Sequence, residues 1–185
     1  MFREYQDHLD EILNAIHECV DSMESSDKIV YDRIQLLQSL RGVGFLSAAV
    51  LMAEMGSFDL FTRPKKLFAY FGADPGVNES GKFKGDRVHM SKRGSNLARR
   101  ILHMIAINNL MVKKGTKAPV NPVIYEYYTL KCQSKKKNVA IGAVMHKICN
   151  IIYAMLRDNR PYEVITPEEH RKRFAERNNM IRAAG

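Results

Sequence analysis

Leu9, Ile12, Ile16, Cys19 and Met23 follow one another at intervals of three and four residues, which predicts a helix over residues 3 to about 24 with one narrow apolar stripe. Such a stripe suits a coiled-coil seam or a helix laid along another helix. Ser25-Ser26-Asp27 interrupts the pattern and offers a new cap, after which Ile29, Ile34, Leu37 and Leu40 continue an apolar face. Gly42-Val43-Gly44 then separates that helix from an apolar one ending at Met55 and Gly56. Phe58, Leu60 and Phe61 lead to Thr62, the expected cap of a helix with Pro64 in its first turn that stops at Gly72. Helical spacing returns at Ser95-Asn96, which caps a strongly apolar helix through Leu97, Ile101, Met104, Ile105 and Met111, with Arg99, Arg100 and His103 on its exposed side. Asn121-Pro122 opens a helix carrying Ile124, Tyr127, Tyr128 and Leu130. Val139 to Leu156 forms a long apolar helix in which Gly142 suggests close packing. Thr166-Pro167-Glu168-Glu169 is a capping box before a polar, basic tail.

The long exception to helical spacing runs from Gly72 into the start of the Ser95-capped helix. Asp74-Pro75-Gly76 and Lys84-Gly85-Asp86 are turn chemistry, with Val77, Phe83, Val88 and Met90 scattered between, so at most a short β-hairpin is expected. The fold class is therefore all-α around one irregular loop. A loop of this length inside a compact domain is usually functional or disordered, and the capped helices on both sides favour function.

Charge sharpens that picture. From Gly76 to His103 the chain carries Lys82, Lys84, Arg87, Lys92, Arg93, Arg99 and Arg100 against Glu79 and Asp86; seven cations and two carboxylates leave +5 of the chain's net +9. A pI near 9.5 points to a polyanionic partner, with nucleic acid a better candidate than an anionic membrane surface. The 185 residues, 45% of them hydrophobic, suffice for a core without metal or disulfide staples. No apolar run reads as a membrane span and the first residues hold no signal-peptide core, so a cytoplasmic chain with no membrane partner is expected. Cys19, Cys132 and Cys149 are too few and too widely spaced for a disulfide framework. His146 and Cys149 share a helix face, but no second close pair joins them, and they read as core positions rather than metal ligands.

Helix, Gly42-Val43-Gly44 and helix is also the pattern of a helix-hairpin-helix element, in which glycines let the backbone approach a phosphate and the next helix points free amides at it. The same residues would serve a tight turn between two packed helices. Within the loop, Ser80 precedes Gly81 and Lys82, and Ser91 precedes Lys92-Arg93-Gly94. Either hydroxyl could attack a phosphodiester if a base took its proton and the cations stabilised the charge; alternatively Ser80 marks a turn and Ser91 a cap. The carboxylates are scattered, so a two-metal site built within this chain is not expected.

In order and spacing, Leu36-Leu-Gln-Ser-Leu-Arg-Gly-Val-Gly44, Ala53-Glu-Met-Gly56, Phe61-Thr-Arg-Pro-Lys-Lys-Leu-Phe-Ala-Tyr-Phe-Gly72, Pro75, Ser80-Gly81 and Ser91-Lys-Arg-Gly94 resemble the C-terminal transposase domain of the one-ten family of bacterial insertion sequences. The resemblance covers about residues 30 to 163. It implies a DNA recombinase directed by a guide RNA, with a composite active site: an acidic RuvC-like domain holding magnesium, and a serine that attacks the DNA phosphate. That serine matches Ser80, with Ser91 the alternative. The resemblance assigns the phosphate backbone to Lys82, Lys84, Arg87, Lys92 and Arg93, while Gly42, Gly44, Arg99 and Arg100 are further candidate DNA contacts. This sequence departs at Phe45, where proline is common, at Ala73-Asp74 before Pro75, and at Ser95.

The acidic domain is missing from this sequence, so the expectation is a truncated or fragmentary transposase with no cofactor of its own, magnesium being implied for the missing domain. Its parts are a coiled-coil arm (1–35) that makes homo-oligomers, the transposase domain (36–163) and a helical basic tail (164–185). The alternative is a non-enzymatic helix-hairpin-helix module that grips nucleic acid.

Overall fold

The computed structural model describes residues 2–76, 79–80, 83–84 and 90–183. It is all-α: α1 (Phe2–Ser26), α2 (Lys28–Leu37), α3 (Phe45–Met55), a 3-10 turn (Phe58–Leu60), α4 (Pro64–Tyr70), α5 (Asn96–Leu110), α6 (Pro122–Cys132), α7 (Lys137–Asp158) and α8 (Pro167–Ala183). Between α4 and α5, β1 (Glu79–Ser80) and β2 (Phe83–Lys84) pair antiparallel, with Glu79 opposite Lys84 and Ser80 opposite Phe83.

The caps form largely where the sequence places them. Asp27 accepts from the Val30 amide at 3.3 Å, Ser95 from Ala98 at 3.0 Å, Asn121 from Ile124 at 3.3 Å, and Thr166 from Glu169 at 3.2 Å. Thr62 does not cap α4. Pro64 takes the first helical position and holds the residue before it extended, so the cap falls on Arg63, which makes no side-chain cap bond.

Helix α7 packs against α2, α4, α5 and α6 and is the hub of the core. Its length and composition would let it cross a membrane, contrary to the expectation from sequence, yet half of that apolar window is buried within the protein. The buried face of α5 is Ala98, Ile101, Leu102, Ile105, Ala106 and Asn109. Of the five apolar residues expected there, Leu97 (46% exposed), Met104 (49%) and Met111 (56%) point outward. Two fully buried alanines give α5 a flat side that seats closely on its neighbours, and the larger residues turn away.

In α1 the apolar stripe reaches the body only in its later turns. Val20 is buried, Ile16 and Met23 are half-buried, and Leu9 and Ile12 remain exposed. Ile29 is exposed as well, while Ile34, Leu37 and Leu40 are core. Gly142 leaves open space around itself and is not the close-packing site its sequence context suggests.

Burial pushes the Cys149 thiol up to about 12, whereas Cys19 is exposed. Only about one Cys149 in ten thousand would carry a thiolate at pH 8. Alkylation of the native protein should modify Cys19 quickly and Cys149 only after denaturant is added. Peptide mass spectrometry that found Cys149 labelled at the Cys19 rate would contradict this core.

Candidate nucleic-acid interface

The two ends of the irregular segment are locked together at its base. Gly72, at φ +64° beyond the end of α4, accepts a bond at its carbonyl from the Lys92 amide at 3.0 Å. The Ser91 amide donates to the Asp74 carbonyl at 2.8 Å, and Pro75 forms a bridge pair with Met90. Gly72 and Gly94 touch backbone to backbone: a Cβ on Gly94 would lie 1.9 Å from the Tyr70 carbonyl oxygen and 2.4 Å from the Gly72 nitrogen. The Ser91 hydroxyl donates to Asp74 Oδ1. Lys92, at φ +55°, turns the chain out of this neck in the left-handed region that side chains seldom adopt.

Arg99, expected on the exposed side of α5, is half-buried. Its guanidinium donates to the Phe71 carbonyl at 3.3 Å and to Asn96 Oδ1 at 3.0 Å. A cation at the carbonyl end of α4 is favoured by the helix dipole, so Arg99 ties α5 to α4. Lys92, Arg93 and Arg100 are exposed, and no described carboxylate pairs with them. The tail differs: Arg171 and Arg173 of α8 bind Glu126 at 2.7 Å and Glu163 at 3.0 Å.

Of the remaining candidate residues, Ser80 stands in β1 and Lys84 in β2. Lys82 and Arg87 lie outside the described residues. Gly42 is held at φ +80° against α5, where a Cβ would come within 2.7 Å of Asn108 Cβ; its glycine serves helix packing. Gly44 caps α3 with open space before it. On one side of this hairpin, His17 of α1 stacks on Phe45 at 3.7 Å. Helix α1 carries Glu4, Asp7, Asp10, Glu11, Glu18, Asp21 and Glu24 against Arg3, so the chain's cationic surplus lies outside it. The hairpin therefore sits beside an acidic helix, while the loop neck displays exposed cations that pair with no carboxylate among the described residues.

Sequence reasoning overlooked Asp74 as the partner of Ser91. Seventeen residues separate them, and no local spacing connects them. The glycines at 72 and 94, one beyond each end of the loop, were the available signal.

The sequence model of the transposase IS116/IS110/IS902 family matches residues 34–128, just over half of the chain. The chain belongs to that family. The match begins in α2 and ends in α6, so it contains the hairpin, the loop neck and α5. Curated relatives of this transposase-family chain are similar at low identity. The pilin gene-inverting protein of Moraxella lacunata is 25% identical over 154 residues, 83% of this chain and 46% of that protein. The pilin gene-inverting protein of Moraxella bovis is 27% identical over 131 residues, 71% of this chain and 39% of that protein. The y4qE protein of Sinorhizobium fredii is 24% identical over 142 residues, 67% of this chain and 36% of its own length. The transposase-family chain thus spans less than half the length of these relatives.

Among the described residues no three of His, Cys, Asp and Glu converge where a metal ion could be held. The resemblance places its magnesium in the acidic domain, and no set of described residues here fits a divalent cation.

Proposed function

We propose that this chain is the DNA-gripping, serine-bearing portion of an insertion-sequence recombinase acting in DNA transposition. The observation that carries the reading is the loop of the family-matched region: Ser80 lies within it, and the exposed Lys92 and Arg93, paired with no carboxylate among the described residues, stand at its neck with Arg100 on the adjoining helix. Two of the relatives invert a gene, and inversion requires DNA strands to be cut and rejoined.

In the proposed step, Ser80 Oγ attacks a backbone phosphorus. The Oγ–P bond forms, one P–O bond to the neighbouring nucleoside breaks, and the serine's proton ends on the released hydroxyl. The phosphoserine ester keeps the strand activated, so a DNA hydroxyl can reverse the reaction on a new partner. Lys82, Lys84, Arg87, Lys92, Arg93 and Arg100 stabilise the charge on the phosphorane and hold the flanking phosphates. These contacts carry no base sequence, which leaves target choice to pairing with a guide RNA. The exposed Leu9–Ile12 stretch of α1 is the proposed seam for self-association. No step is routed through a metal in this chain.

The test is a denaturing-gel search for a protein–DNA adduct. This chain would be mixed with the family's acidic RuvC-like domain, magnesium, guide RNA and element-end DNA. An adduct is expected with the wild type and none with Ser80→Ala, whose DNA affinity should stay within about twofold. An adduct that survives Ser80→Ala overturns the nucleophile. No adduct, alongside salt-dependent DNA binding, would leave a gripping module without chemistry. For binding itself, each of Lys92→Ala, Arg93→Ala and Arg100→Ala should flatten the log–log salt slope by about 0.9.

A further inference from the structure

We propose that the Asp74–Ser91 pair locks residues 91–95 into a rigid bracket that presents Lys92 and Arg93 as a preorganised grip for DNA backbone phosphates. Asp74 and Ser91 are then positioning residues, which act through the two cations and touch no DNA themselves. The inference rests on the reading of Lys92 and Arg93 as phosphate contacts.

Each residue of the bracket is fixed. The Ser91 amide donates to the Asp74 carbonyl at 2.8 Å, and its hydroxyl donates to the Asp74 carboxylate. The Lys92 amide donates to the Gly72 carbonyl at 3.0 Å. The Arg93 nitrogen packs so near Gly72 that a Cβ there would lie 3.0 Å from it, and Gly94 is pressed against Tyr70 and Gly72. The Ser95 hydroxyl accepts from the Ala98 amide at 3.0 Å and starts α5. Ser91, Gly94 and Ser95 are half-buried, whereas Lys92 and Arg93 are exposed. The main chain has no slack, and the two cations are what the segment offers to solvent.

Lys92 bears the strain of this arrangement. Its φ of +55° lies in the left-handed region, which costs a side-chain-bearing residue free energy and persists where the surroundings over-determine it. Glycine at 92 would relieve that strain and lose the cation. A lysine held there turns the strain into a fixed origin for a positive charge. The gain is entropic: a cation on a slack loop gives up backbone freedom when it takes a phosphate, whereas one on a fixed backbone gives up side-chain freedom alone.

Ser91 is suited to positioning rather than contact. Its proton is committed to a carboxylate, and a phosphate approaching the hydroxyl would meet the negative charge of Asp74. Because the pair is half-buried, water competes only partly for the bond. Removing the hydroxyl leaves every charge and every main-chain donor in place, so the bracket can be loosened without altering the grip's chemistry.

The experiment titrates the full chain into a short DNA duplex over a series of salt concentrations, and follows hydrogen exchange at the Lys92 amide without DNA. Ser91→Ala should weaken binding about threefold to tenfold at every salt concentration, with the log–log slope of the wild type, and speed Lys92 exchange about tenfold. Lys92→Ala differs in kind, since it removes a charge and flattens the slope by about 0.9. In a chain that already carries Lys92→Ala and Arg93→Ala, adding Ser91→Ala should change affinity less than about twofold, because the pair acts through those cations. Ser91→Thr keeps the hydroxyl and should bind within about twofold of the wild type.

Wild-type affinity or wild-type exchange in Ser91→Ala would overturn the bracket. A flattened slope in Ser91→Ala would do so too, by making residue 91 part of the phosphate contact. An undiminished loss in the chain without the two cations would show that Ser91 acts elsewhere, and equal losses in Ser91→Thr and Ser91→Ala would show that the hydroxyl is not what matters; either overturns the inference. Failure of the underlying reading has its own signature, an unchanged salt slope in both Lys92→Ala and Arg93→Ala.

Discussion

Gly94→Ala is expected to destabilise the protein by about 3 kcal/mol or more, because the added methyl has nowhere to go. A Cβ at residue 94 would sit 1.9 Å from the Tyr70 oxygen, 2.4 Å from the Gly72 nitrogen and 2.7 Å from the Phe71 carbonyl carbon. All three are main-chain atoms at the end of α4, and none can swing aside as a side-chain tip could. Relief would require the end of α4 and the Ser91–Ser95 segment to separate. That movement would break the Lys92–Gly72 bond and pull Arg99 from the Phe71 carbonyl.

Gly72→Ala meets the same wall from the other side, with the Gly94 nitrogen 2.4 Å away and a φ of +64° added. Urea unfolding is the measurement, and a loss of this size moves the midpoint by about 1 to 3 M. Gly142→Ala is the internal control. That glycine lies inside α7 with open space around it, so alanine should stabilise the chain by about 0.5 to 1 kcal/mol. A Gly94→Ala midpoint equal to the wild type would mean that the neck is not packed as described.

Much of this architecture was legible because local chemistry and tertiary packing agree. Asp27, Ser95, Asn121 and Thr166 cap helices where short polar side chains precede apolar periodicity. Ile34, Leu37, Ile101, Ile105, Val144 and Ile148 are buried as their spacing requires. Several readings failed because size was taken for burial. Leu97, Met104 and Met111 outweigh Ala98 and Ala106 in hydrophobicity, but α5 seats on its neighbours through the alanines. The stripe of α1 has the right period throughout, yet periodicity does not say where a partner ends.

The site was half legible. Its location and charge follow from the loop's composition, while the carboxylate bound by Ser91 depends on how two strands meet. Gly42 shows the same limit in reverse. A Gly-x-Gly hairpin is one pattern with two uses, and the placement of Asn108 beneath Gly42, which accounts for the packing use, is not legible in that pattern.

Asn109→Ala should cost about 2 to 4 kcal/mol, far more than the loss of one hydrogen bond. Asn109 is fully buried in α5. Its amide nitrogen donates to the Arg41 carbonyl at 2.6 Å and to the Ile105 carbonyl at 2.9 Å, and its oxygen accepts from Asn121 at 2.9 Å. Asn121, equally buried, also donates to the Tyr162 hydroxyl at 2.9 Å, and the Tyr162 amide donates to Ser39 at 2.8 Å. The network thus joins the hairpin, α5, the start of α6 and the segment after α7. Among the described residues no buried side-chain nitrogen or oxygen lacks a partner. Alanine at 109 would leave one donor of the buried Asn121 without its partner and release the Arg41 carbonyl from α5.

Two further variants separate this mechanism from simple loss of volume. Asn109→Ala combined with Asn121→Ala should cost clearly less than the sum of the single changes, because each already removes the bond they share. Asn109→Asp keeps the shape but places a carboxylate where a donor must face the Arg41 oxygen. Burial raises that carboxyl's folded-state pKa above the unfolded value of about 3.9. Below the unfolded value the group is protonated in both states and its one O–H can replace the amide's bond to the Arg41 oxygen. As pH rises from there through the folded value, the unfolded chain ionises more readily and the penalty grows. The Asn109→Asp chain should therefore lie closer to the wild type at pH 4 than at pH 7. A pH-independent gap of the same size as for Asn109→Ala would show that volume, not the donor to Arg41, is what residue 109 contributes.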